Sequence, residues 1–225
     1  MAGRRPLTPF EERNLLRVVR RLSPRDRALV TAQWFTGFRV SEVLSLTVAS
    51  VWKEEKWLPR IGIQPRHLKG GYGRTRYVPV LPELHRALER HLNWLDRAFG
   101  LRTDLPLFPS RHHCDGVRAI TRVQAHTIIK AAFARAGVEN DGRLGTHSLR
   151  KTWARNVYRN AGNDLMVLKA ALGHSDVAVT QAYLDVGEDA VAAAIAGCDF
   201  TRGPRARKFP AASPATQQAP LSTAA

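Results

Sequence analysis

Amphipathic helical stretches make up most of the chain, interrupted once by a run of strand-like alternation. Thr8 precedes Pro9 and an apolar set at Leu15, Leu16, Val18 and Val19, with Glu11 in the first turn, which predicts a capped helix over about 9–21. Ser23-Pro24 is a second start signal, Ser as cap and Pro in the first turn. The helix behind it carries Ala28, Leu29, Ala32, Trp34 and Phe35, is apolar enough for the centre of a core, and stops near Gly37. Val40, Val43, Leu44 and Leu46 begin a third apolar face. From Trp52 to Val80 the pattern shortens toward period two, with strand candidates at 57–63, 67–69 and 75–80 and a tight turn at Gly70-Gly71-Tyr72-Gly73.

Helical periodicity then returns. Pro82, Leu84, Leu88, Leu92 and Leu95 predict a long helix over 82–99, and 105–109 reads as a short buried connector. Thr121 caps a helix through Ile128, Ile129, Ala132 and Phe133 that ends at Gly137. Further helices are expected over 146–159, over 164–172 with Gly173 as the stop, behind Ser175-Asp176, and over 188–196. The fold class this predicts is mostly α-helical α+β, with a small three-stranded antiparallel sheet at one edge. Residues 1–7 read as a loose basic arm and 8–200 as one domain. Residues 201–225, rich in Ala, Pro, Ser and Gln after a basic start, read as a disordered tail.

Charge narrows the partner. Of 225 residues, 35 are Lys or Arg against 19 Asp or Glu, a net charge of +16 that favours a polyanion, nucleic acid before an anionic membrane surface. The apolar runs fall short of the roughly 20 residues a membrane span needs, and the first residues lack the apolar core of a secretory signal. Two cysteines, Cys114 and Cys198, without metal-site spacing, fit a reducing, cytoplasmic setting and offer no disulfide framework. His112-His113-Cys114-Asp115 is a poor metal motif, because adjacent residues do not easily share one ion.

The remaining signals are scattered along the chain and fit one chemistry. His147 and Arg150 lie three apart, on one face if helical, followed by Lys151 and Trp153. Arg39 follows a helix stop, with Glu42 three residues on to fix its guanidinium. Lys69 lies beside the Gly-rich turn, His174 follows Leu172-Gly173, and Tyr183 comes nine residues after that His. Arginines stay charged and fork onto two phosphate oxygens. Histidines donate or carry protons near neutrality. A tyrosine amid cations is a candidate nucleophile toward a phosphodiester, and a lysine on a turn a candidate acid for the leaving oxygen. The scheme calls for no metal and no cofactor. Arg76, Arg118, Arg143, Lys151 and Arg155 are candidate contacts to DNA phosphates.

This ordered set resembles the catalytic domain of the tyrosine recombinases, the phage integrase family. TGFRVSEVL matches the family's first arginine motif, LKGGYGRTRYVPV its β-hairpin lysine, and THSLRKTW its His-x-x-Arg. LGH and Tyr183 match its last two elements, and the likeness runs from about Leu7 to Cys198. It implies Arg39, Lys69, His147, Arg150, His174 and Tyr183 as catalytic residues, Glu42 as support, and a site-specific recombinase forming a 3′-phosphotyrosine on double-stranded DNA. It also implies a tetramer on two DNA sites, and leaves open whether an accessory DNA-bending protein or a second recombinase takes part. Arg39 falls too early for the family's N-terminal clamp domain, so the sequence resembles the catalytic-domain-only members, such as the fimbrial phase-variation invertases. A type IB topoisomerase-like relaxase and a catalytically silent DNA-binding protein remain the alternatives.

Overall fold

A computed structural model describes residues 4–67, 75–110, 117–139, 141–173 and 180, all within one unit of the chain, Met1–Asp185. The helices are α1 (Pro9–Val19), α2 (Pro24–Thr36), α3 (Val40–Leu44), α4 (Pro82–Phe99), α5 (Arg122–Arg135), α6 (Thr146–Asn160) and α7 (Leu165–Leu172). Their starts follow the capping chemistry of the sequence. Glu11 N–H donates to Thr8 Oγ1 while Glu11 Oε2 accepts from Thr8 N–H, closing a capping box. Ser23, Thr121 and Asp164 accept from the first-turn amides of α2, α5 and α7. Gly37 and Gly173 end α2 and α7 in the left-handed conformation.

α2 is the central element. Ala28, Leu29 and Ala32 face α4, the strands and the 105–108 connector, whereas Val30 and Trp34 face α1, α5 and Leu149 of α6. Full burial of each large aliphatic side chain here is worth about 1.5–3 kcal/mol. Ala154, Leu168 and Leu172 close a smaller cluster between α6 and α7.

The sheet differs from the three strands expected. Described residues form two separate antiparallel pairs: β1 (Trp52–Lys53) with β2 (Lys56–Trp57), and β3 (Arg60–Ile63) with β4 (Arg76–Pro79), Ile61 opposite Val78. His67, expected in a middle strand, lies in a 3-10 turn over Pro65–His67. Pro65 fixes its own φ and has no N–H for a ladder, which favours the turn.

Residues 4–7, expected to be loose, are fixed in place. Leu7 is fully buried and its N–H donates to Thr152 Oγ1 of α6 at 2.8 Å. Arg5 forks onto both oxygens of Glu11 at 2.8 Å and reaches Asp141, and the fork holds the Glu11 carboxyl below its ordinary range. No helix among the described residues is long and apolar enough to cross a membrane.

Candidate active site

The site is built from the loop that leaves α2. Gly37 has φ 61°, and a Cβ there would lie 2.3 Å from the Trp153 ring, so conformation and contact both call for glycine. Buried Gln33 donates to the Phe38 carbonyl at 2.7 Å, and Phe38 N–H donates to Thr36 Oγ1 at 3.1 Å. The loop is thereby fastened to α2 and sets the direction of Arg39. Arg39 donates its backbone N–H to Glu42 Oε2 (2.7 Å) and Nη1 to Glu42 Oε1 (2.8 Å), while its side chain stays 21% exposed.

Glu42 is wholly buried and gathers more than Arg39. Arg76 Nη2 lies 3.1 Å and Arg150 Nη1 4.0 Å from Oε2. Arg150, also wholly buried, donates to the carbonyls of Gly37 and Leu172. Arg76 Nη1 donates to the same Leu172 carbonyl at 2.6 Å, and its guanidinium lies 4.4 Å over the Phe38 ring. That carbonyl is at the C-terminal, negative end of α7, where cations are favoured. Three guanidinium groups therefore converge on one carboxylate, and Arg39 is the most exposed of the three.

His147 stands beside this node, one turn before Arg150 on α6, partly open to solvent. Its pKa is lowered below the ordinary 6.5, first because surrounding protein strips water from the ring, then by repulsion from Arg150, Arg39, Arg4 and Lys151. The imidazole is therefore neutral at pH 7 and able to accept a proton.

The structure thus brings Arg39, Glu42, His147 and Arg150 together. Lys69, His174 and Tyr183 lie outside the described residues, as do the expected helix over 188–196 and the tail over 201–225. Among the expected phosphate contacts, Arg118 is exposed and Arg143 and Lys151 are half-buried. Two others point elsewhere. Arg76 is buried against Glu42, because an interior carboxylate draws cations inward. Arg155 donates to the Leu7 carbonyl at 2.5 Å and to Glu12, tying α6 to α1. The bracing position of Arg76 was missed, although it shares a strand face with Val78, two residues on, which marked it as inward. No group of three or more His, Cys, Asp or Glu among the described residues could hold a metal ion.

The chain has relatives among known proteins. Residues 5–189 match the model of the phage integrase family, and the chain belongs to that family. Among curated proteins it is similar to "Tyrosine recombinase XerC" of Erythrobacter litoralis (strain HTCC2594), 36% identical over 169 residues, covering 74% of this chain and 48% of the relative. It is also similar to "Tyrosine recombinase XerD" of Yersinia pestis, 32% identical over 172 residues, 75% of this chain and 52% of the relative. The chain thus spans about half the length of these relatives (48% and 52%). Among solved structures, XerA recombinase superposes with a TM-score of 0.66 at 25% identity, over 86% of this chain and 63% of that one. The fold is shared by XerH site-specific recombinase bound to its difH substrate, with a TM-score of 0.63 at 21% identity over 84% of this chain and 53% of that one.

Proposed function

We propose that this chain is a site-specific DNA recombinase that cleaves and rejoins double-stranded DNA through a 3′-phosphotyrosine. The observation that carries the reading is the convergence of Arg39 and Arg150 on Glu42, with His147 at their side. Arg39, the more open cation, forks onto the scissile phosphate, and Arg150 adds a buried charge that the interior screens little. Tyr183 gives its phenol proton to neutral His147, and its oxygen bonds to phosphorus. The bond from phosphorus to the 5′-oxygen breaks, and that oxygen takes a proton from Lys69. Arg39, Arg150 and His174 meet the charge that grows on the phosphoryl oxygens. A 5′-hydroxyl from a second duplex reverses these steps and seals the exchanged strand. Arg118, Arg143 and Lys151 grip flanking phosphates. Four protomers on two duplexes exchange strands in pairs, in the DNA-containing compartment of the cell.

The test is a library of nicked duplexes of random sequence, with protein–DNA adducts recovered under denaturing conditions and sequenced. A covalent adduct is expected, absent with Tyr183→Phe and formed about 10²–10³-fold more slowly with Arg39→Ala. DNA retention without any adduct would make the chain a binding protein, and relaxation of any supercoiled plasmid without recombinant products would make it a relaxase. Adduct formation should hold its rate down to about pH 6.5 and fall below it as His147, whose pKa is lowered, takes up its proton; a profile already falling at pH 7.5 would count against His147 as the acceptor.

A further inference from the structure

We infer that Arg76 is a positioning residue that registers the β3–β4 hairpin against the arginine node, and so sets where the hairpin's lysine meets the leaving 5′-oxygen. The inference rests on the recombinase reading above. Arg76 is the first residue of β4, the strand that returns from the segment containing Lys69. Among the described residues its guanidinium meets two stretches of chain: Phe38 to Glu42, through the Phe38 ring at 4.4 Å and Glu42 Oε2 at 3.1 Å, and the end of α7, through the Leu172 carbonyl at 2.6 Å. Gly173 packs against its stem, since a Cβ there would lie 3.0 Å from Arg76 Cδ. One side chain therefore joins the hairpin to the loop of Arg39, to the carboxylate that Arg39 and Arg150 share, and to the helix end before His174. Being 7% exposed, it is no contact for DNA. A planar fork reaches Glu42 and the Leu172 carbonyl at once, whereas a lysine keeps the charge but not the two-pronged reach. Without that fork the hairpin has lost its registering tie to the node.

Arg76→Lys is the test, read on the nicked duplex recovered above in two forms. In one, the scissile bond is the natural P–O5′ linkage, whose oxygen leaves with a proton. In the other, a bridging sulfur replaces that oxygen and leaves as a thiolate, needing none. A misplaced acid should slow single-turnover cleavage of the natural linkage by about 100-fold at saturating DNA. The sulfur linkage should be cleaved within about threefold of the unsubstituted protein, since proton delivery then contributes nothing to the rate. Phe38→Leu, which removes the stack but keeps the fork, should show the same split more weakly. Equal slowing on both linkages would overturn the inference and make Arg76 a part of the charge-stabilising set. Weaker DNA binding with a salt slope reduced by about one would overturn it too, making Arg76 a phosphate contact. Failure of both Arg76→Lys and Arg76→Gln to fold would make it a determinant of the fold alone, against the inference. If the unsubstituted protein forms no adduct on either linkage, the recombinase reading fails first.

Discussion

The molecule buries titratable groups in two contrasting ways. Around Glu42 the interior is crowded with charge, the carboxylate meeting Arg39, Arg76 and, at 4.0 Å, Arg150. On α4, equally buried His91 is set between the stacked rings of Trp94 and Phe108, each 5.6 Å away. Its Nε2 is 2.5 Å from the Leu107 carbonyl, and its Nδ1 has no hydrogen-bond partner among the described residues. Loss of water drives its pKa down to about 4, against the pull of that carbonyl and with help from Arg25. A carboxylate ringed by cations is carried inside as part of an ion network. An imidazole offered one carbonyl and two aromatic faces enters as a neutral donor. The first arrangement holds charge in the interior, and the second keeps it out.

Breaking the network should have the larger effect. Glu42→Ala strands three cations that converge on one point, two of them buried, and should lower stability by about 3–5 kcal/mol, read as a lower urea midpoint at constant slope. The neutral site is tested by acid. The unfolded chain binds a proton at His91 below pH 6.5 and the folded chain does not until about pH 4. Stability is therefore lost as pH falls through that window, by roughly 3 kcal/mol at its lower end. His91→Gln, which keeps a donor toward Leu107, should flatten that part of the profile, and an unchanged acid slope would refute the assignment. The smallest effect should come from a site remote from both. Thr8→Ala removes one cap from α1 and should cost about 1 kcal/mol without altering adduct formation.

What could be read from the sequence divides along the range of the interactions. The starts of α1, α2, α5 and α7 were legible because a cap and its amide lie within three residues. Arg39 with Glu42, and His147 beside Arg150, were legible for the same reason. The β1–β2 hairpin was hidden because its turn is made by Glu54 and Glu55, both at positive φ, where Gly or Asn would have announced it. The order of residues 4–7 depends on Asp141, Leu144 and Thr152, well over one hundred positions away along the chain. Arg155 was read as a surface cation because its partners, Leu7 and Glu12, are equally distant in sequence. Charge alone did not separate the arginines that face outward from those that hold the interior together.

The contact between Arg76 and Gly173 constrains how this chain can diverge. With φ at 67° and the arginine stem 3.0 Å from where a Cβ would lie, position 173 is held to glycine by both its conformation and its neighbour. Shrinking position 76 first would deprive Glu42 of one cation and the Leu172 carbonyl of one donor. Each position is therefore constrained in its own right, the glycine by its backbone conformation and the arginine by its partners.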